Sequence, residues 1–425
     1  MERRKFINKS FIGASAAVIT GVSSRANEPT QNFKIEDSKE LQSMTNDIEP
    51  ISIQEIKGRI KKAQGLMAVQ GIAALLLDAG TSLNYFTGLS WWPSERPLVA
   101  VIPSVGEISY ICPGFEEERL LEILKVGKKV YAWLEDESPF EQIALALKES
   151  NISNGRIGIE ERLRFFIYNG IKKVAPHLEY VSGDPITIPC RIIKTPTEIA
   201  LMQRATNITI KAIKIGFESL KEGASPSVFS TAVAEAHKKM GANHQFAMAN
   251  FAEASAFPHG SSKPQKLKKG DVILVDCDCT VQGYNSDISR TIVFGEEPTT
   301  RQQEIWVLEK RAQAAGFEAA QVGAPLHNVD AAARKVLTDA GFGPGYNLPG
   351  LPHRTGHGIG MDGHEWGNAV RNNQRIIAPG MCFSIEPNIS IVGEFGVRLE
   401  DCVYITDEGP IWFSEPSPSI KQPFV

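Results

Sequence analysis

Cysteine is scarce in this chain: six among 425 residues, at Cys112, Cys190, Cys277, Cys279, Cys382 and Cys402. So sparse a set excludes a dense disulfide framework. Cys277-x-Cys279 also lacks the neighbouring second pair that a structural zinc site would need. The cysteines therefore read as small buried hydrophobes on core strands, with a Cys382–Cys402 pairing left open for an exported protein. Outside the amino terminus no run approaches the ~20 apolar residues of a membrane-spanning helix. Long blocks of like charge, repeats and low-complexity tracts are missing too. A formal charge of −4 argues against a nucleic-acid partner. What remains is ordinary globular composition, 42% hydrophobic and 22% charged, at a length that suits two domains.

The first residues stand apart. Glu2-Arg3-Arg4-Lys5-Phe6-Ile7-Asn8-Lys9 is followed by a modestly apolar run from Ser10 to Val22, then by small residues around Ser24-Arg25-Ala26. This is the basic, apolar and cleavage-site order of a secretory leader. The paired arginines point to twin-arginine export, so residues 1–26 are expected to be a leader and the mature protein periplasmic. A basic tail or short anchor is the plainer reading. Residues 27–50 are polar and aperiodic, as in a linker.

From residue 51 the pattern turns regular. Ile53, Ile56, Ile60, Ala63 and Met67 recur at helical spacing. Short apolar runs at 72–77, 98–103, 107–112 and 157–160 read as strands, and 115–126 and 139–149 as helices. Strands alternating with helices imply an α/β domain over 51–185. A second domain, 190–425, opens with a helix-start signal at Thr195-Pro196-Thr197-Glu198. Further helices are expected at 225–241, 300–321 and 326–340. Strands are expected at 272–275, 284–294, 381–385 and 396–405, with a Gly/Pro-rich loop at 341–352.

The chemistry gathers in this second domain. Asp276 and Asp287 lie eleven residues apart in Val275-Asp276-Cys277-Asp278 and Asn285-Ser286-Asp287-Ile288. His357 lies in Gly356-His357-Gly358-Ile359-Gly360, between glycines that allow close backbone approach. Glu386 precedes Pro387, and Glu400 follows Arg398-Leu399. Taken singly, each has a plain alternative: a turn aspartate, an Asp287–Arg290 pair, a surface acid or a solvated Glu400-Asp401 pair. As one ordered set, four carboxylates and an imidazole balance two divalent cations and leave room for a water between them. Oxygen-rich ligands favour Mn²⁺, with Co²⁺ or Zn²⁺ as substitutes. His353 and His357 also share the spacing of a zincin helix, but Arg354 occupies the position of its glutamate.

This ordered set resembles the pita-bread metallopeptidases, which include methionine aminopeptidases, Xaa-Pro aminopeptidases and prolidases. Tyr85-Phe86-Thr87-Gly88 is similar to an element of the creatinase-type amino-terminal domain and favours the Xaa-Pro branch. The resemblance implies a creatinase-like α/β domain followed by a curved antiparallel sheet with helices outside. It implies Asp276 on one metal, Asp287 and Glu400 bridging both, and His357 and Glu386 on the other. It further implies amide hydrolysis with Glu386 as general base. His259, in Phe257-Pro258-His259-Gly260, and His364, in Asp362-Gly363-His364-Glu365, would contact substrate or stabilise the oxyanion. His353 would line the substrate pocket, and Arg398 would orient carboxylates. Proline-containing peptides or dipeptides are the implied substrates, and a homodimer or larger homo-oligomer the implied assembly. The loop Trp91–Pro97 is either a lid or packing.

Two positions depart from the family pattern: Asp278 replaces a usual glycine, and Ser390 stands where many Xaa-Pro enzymes carry tyrosine. On a strand Asp278 would share a face with Asp276. The rival readings are a metal-free amidinohydrolase of the creatinase type and a catalytically inert peptide-binding module. Both would be expected to have lost ligands that are intact here.

Overall fold

The computed structural model describes residues 41–425; the expected leader and the first part of the expected linker lie outside the described residues. Residues 41–50 have neither helix nor strand, yet Leu41, Met44 and Ile48 pack against the core of the carboxy-terminal half.

Helix α1 (Ile53–Gln70) starts where Ser52 caps the Glu55 amide and stops at Gly71, whose φ of 63° suits glycine. Its buried residues Ile56, Ala63 and Met67 form one stripe. Six strands follow: β1 (Ile72–Asp78), β2 (Val99–Pro103), β3 (Ser109–Pro113), β4 (Lys129–Trp133), β5 (Arg156–Ile159) and β6 (Glu179–Ser182). They form one mixed sheet in the order β4-β3-β2-β1-β5-β6. Leu75 and Leu77 of β1 face one apolar cluster, Ala74 and Leu76 another. Burial on both faces explains why β1 reads as a continuous apolar run. The covering helices are α2 (Thr81–Thr87), α3 (Glu117–Ile123), α4 (Pro139–Glu149), α5 (Phe165–Val174) and α6 (Asp184–Arg191). Helix α2 carries the Tyr-Phe-Thr-Gly element, and its Tyr85 hydroxyl donates to the Cys190 carbonyl at 2.7 Å.

The second half begins with α7 (Pro196–Ser219), whose Thr195 and Glu198 form a reciprocal capping box. Helices α8 (Pro226–Lys239), α9 (Thr300–Ala319) and α10 (His327–Asp339) complete this layer. Against it lie β7 (Asn243–Phe251), β8 (Val272–Val281), β9 (Tyr284–Asn285) and β10 (Ile288–Val293), with β8 central and antiparallel to the other three. A second antiparallel sheet contains β11 (Gly356–Gly358), β12 (Glu365–Ala369), β13 (Cys382–Ile385), β16 (Asp401–Thr406) and β17 (Gly409–Trp412). β14 (Asn388–Ile391) and β15 (Phe395–Arg398) form a hairpin. A bridge between Ser289 and Glu400, with amide bonds of 3.2 and 3.3 Å, stitches β10 to the turn between β15 and β16.

Several elements differ from the sequence reading: α2, α5, α6, β4 and β6 were not expected, and the expected strand at 396–405 is broken at Leu399-Glu400 into β15 and β16. Strand β8 continues six residues past Val275, so Asp276 sits mid-strand rather than at its end. The expected strand at 284–294 is broken at Ser286-Asp287 into β9 and β10. Strand β7 was not anticipated, because its first half is polar and exposed and lacks an apolar signature.

Candidate metal centre and substrate cleft

Strand alternation explains much of the site. On β8, Cys277 and Cys279 face the apolar core, while Asp276 and Asp278 line a cavity of about 1020 Å³. Asp287 enters the same cavity from the break between β9 and β10. His357 comes from β11, Glu386 from the end of β13 and Glu400 from the turn after β15. The imidazole Nε2 of His357 lies 3.3 Å from Glu386, 3.5 Å from Asp287 and 3.9 Å from Glu400. Three groups converge with ligand atoms within 4.8 Å of one another: Asp276, Asp287 and Glu400; His357, Glu386 and Glu400; and Asp287, His357 and His364.

The surrounding bonds orient these donors. Nδ1 of His357 is 3.1 Å from the Gly358 carbonyl, so a proton there leaves Nε2 unprotonated, its lone pair directed into the cluster of carboxylates where an ion would sit. Ser384 donates to Glu386 at 3.2 Å and accepts from the His357 amide at 3.0 Å. Ser289 donates to Glu400 at 2.7 Å and accepts from Arg398 Nε at 2.8 Å. Arg398 also pairs with Asp276 and reaches the Pro258 carbonyl at 3.4 Å. Arg290 does not pair with Asp287; it is buried against Asp401 at 2.7 Å.

Burial, followed by repulsion from neighbouring carboxylates, pushes Asp287 and Glu400 well above the usual carboxylate range. Burial pushes Glu386 up to about 7, against the pull of Arg398. Burial, then His364, holds His357 well below the usual imidazole range. The mutual repulsion of the buried carboxylates marks a pocket short of positive charge, and the imidazole that burial holds neutral keeps a lone pair for an ion. Asp276 Oδ1 is buried without a hydrogen-bond partner among the described residues. The donor set thus fits divalent cations.

His259, His353, His364 and Arg398 line the same cavity. His353 is bonded through Nδ1 to the Arg354 carbonyl at 2.7 Å, and its Nε2 is buried with no partner among the described residues. The rings of His357 and His364 lie 4.0 Å apart between centroids. His237 and His244, outside the motifs, pack on each other. Ser390 lies away from the cleft, bonded to Asn388 at 3.2 Å. All six cysteines are free and buried. Trp91 and Trp92 line a smaller neighbouring cavity of about 390 Å³ rather than the cleft itself.

Sequence reasoning missed Ser289, Ser384 and Arg354. The serines stand close to motif residues, Ser289 two after Asp287 and Ser384 two before Glu386, but their partners are fixed only by folding. Arg354 lines the cavity, and its guanidinium bonds to Asn368 at 3.0 Å with no carboxylate partner among the described residues. Its position beside His353 was the available signal.

Carboxylates and an imidazole converging in a cleft between antiparallel sheets, behind a creatinase-like α/β domain, define a metal-dependent hydrolase. Residues 200–407 match the model of metallopeptidase family M24, and residues 59–193 match that of the creatinase/prolidase N-terminal domain. An Xaa-Pro dipeptidase of Lactobacillus delbrueckii subsp. lactis is 30% identical over 367 residues, 85% of this chain and 98% of the relative. Among solved structures, the prolidase from Thermococcus sibiricus is similar at a TM-score of 0.77 and 29% identity, covering 85% of this chain and 97% of that one. Dipeptidase PepE from Mycobacterium ulcerans is similar at a TM-score of 0.81 and 27% identity, covering 89% of this chain and all of that one. The chain belongs to metallopeptidase family M24.

Proposed function

We propose that this chain is an Xaa-Pro dipeptidase that works with two divalent ions, Mn²⁺ being the preferred metal. Asp276, Asp287 and Glu400 would hold one ion, and His357, Glu386 and Glu400 the other. Bound there, the ions would polarise the scissile carbonyl and lower the pKa of water at the site. Glu386, with Ser384 on its Oε1, keeps Oε2 to take a proton and return it to the departing proline nitrogen. That return matters because a prolyl nitrogen cannot leave as an anion. His259 and His364 supply donors at the cleft wall for charge developing on the carbonyl oxygen.

The observation that carries the dipeptidase reading is Arg354, a cation in the cleft without an acidic partner among the described residues. A dipeptide places its free carboxylate one residue beyond the scissile bond, within reach of such a group; a longer peptide has an amide there. The names of the relatives support the same choice.

Hydrolysis of Ala-Pro, Ala-Pro-amide and Ala-Pro-Ala by the Mn²⁺-loaded protein tests this. Ala-Pro is expected to be preferred, and Arg354→Ala to lower its kcat/KM by about 10–100-fold while sparing the amide. Faster cleavage of the tripeptide would make the chain an aminopeptidase instead. Homodimeric assembly and twin-arginine export complete the proposal. Sedimentation tests the first, and a reporter fused to residues 1–30 tests the second.

A further inference from the structure

Six acidic residues line the cleft, and five are accounted for: Asp276, Asp287, Glu386 and Glu400 in the metal groups, and Asp362 in ion pairs with Arg162 at 2.9 Å and Arg191 at 2.7 Å. The sixth, Asp278, is only 3% exposed and belongs to none of the converging groups. It has no ion-pair partner among the described residues. Its carboxylate is met only by Ser286 among the described residues, through the hydroxyl at a long 3.4 Å and the backbone amide. A buried carboxylate so poorly compensated is costly unless something cationic meets it.

The surroundings indicate what that is. Phe246 stands directly opposite Asp278 in the β7–β8 register, and Met248 opposite Asp276. Both line the cleft, and Phe246 is 38% exposed. Directly paired residues hold their Cβ atoms about 5 Å apart. The wall therefore presents an apolar strip with an acid at its far end, displaced from Asp276 by two residues, about 7 Å of strand. A substrate α-amine lies only two bonds from the scissile carbonyl and stays near the metal groups. A lysine-like side chain reaches further, laying its methylenes on Phe246 and Met248 and its ammonium at Asp278.

Building on the Xaa-Pro reading, we propose that Asp278, with Phe246 and Met248, forms a subsite selecting substrates with a long basic residue before the proline. The test compares Lys-Pro with norleucine-Pro, which differ chiefly in the terminal charge. In the Mn²⁺-loaded protein, Asp278→Asn is expected to lower the ratio of kcat/KM for Lys-Pro over norleucine-Pro by at least about tenfold, and Asp278→Glu to restore most of it. A smaller fall, or equal losses on both dipeptides with loss of bound Mn²⁺, overturns the proposal. Should the wild-type protein cleave neither dipeptide, the prolyl reading fails on its own. Calorimetric binding of lysine amide against norleucine amide to the same proteins then decides Asp278: a wild-type preference for the lysine compound that Asp278→Asn abolishes supports the subsite, and equal binding refutes it.

Discussion

Arg398 is a fixed cation inside a cluster of acids. It pairs with Asp276 and steadies Ser289, which in turn holds Glu400. At this scale the candidate ligands were legible, because an ordered set of acidic and histidine motifs survives as text. The residues that orient them were not: Ser289 meets Glu400 across 111 positions, and no local pattern announces that. Glu386→Gln keeps the shape and removes the proton acceptor, so it is expected to lower kcat on Ala-Pro by about 10²–10⁴-fold in a steady-state assay. Asp287→Ala separates an enzyme from an inert peptide binder. Bound metal and hydrolysis are expected to disappear together; retained peptide affinity in a protein that never hydrolysed would indicate the binder.

At the scale of elements, the turn between β11 and β12 carries His364 and is fastened to the first half of the chain. Asp362 accepts from Thr81 at 2.7 Å and pairs with Arg162 and Arg191. Glu365 is buried between Arg191 and Lys194, the latter at 2.9 Å. Burial alone would raise the pKa of Glu365, but Lys194 and Arg191 outweigh it and hold the carboxyl down at about 2. A folded pKa below the ordinary ~4.3 stabilises the protein above that ordinary value, and the contribution is lost as pH falls through about 2. Urea midpoints are therefore expected to drop between pH 5 and pH 2, less steeply in Glu365→Gln. That variant is expected to be less stable at pH 7 by about 3–5 kcal/mol, since it leaves Lys194 buried without an acidic partner among the described residues and Arg191 with Asp362 alone. Helices with caps, such as α1 and α7, could be read directly from the sequence. Strand β7 could not, since its polar first half pairs with β8 only by virtue of the tertiary arrangement.

For the whole molecule, the two halves are locked by more than that turn. Arg59 of α1 bonds to the Tyr284 hydroxyl at 2.9 Å and pairs with Glu198 at 3.3 Å, so the start of α7 and strand β9 answer to the first domain. The two-domain order was legible from the change of pattern along the chain, but these buried contacts were not. A cleft that concentrates carboxylates should also make metal part of the fold. Chelation is expected to lower the melting temperature, and Mn²⁺ at a hundred times its Kd to restore about 2.7 kcal/mol. A melting temperature indifferent to chelator would count against a metal-coupled fold.

Strand β8 writes Asp-Cys-Asp-Cys with acids on one face and thiols on the other. A slip of one residue in its pairing would bury two carboxylates in hydrocarbon and turn two thiols toward the cleft. The two acids that equip the cleft, with the two thiols behind them, thus also serve as the chain's own check on its alignment, and a single isosteric change such as Asp278→Asn weakens that check along with the chemistry.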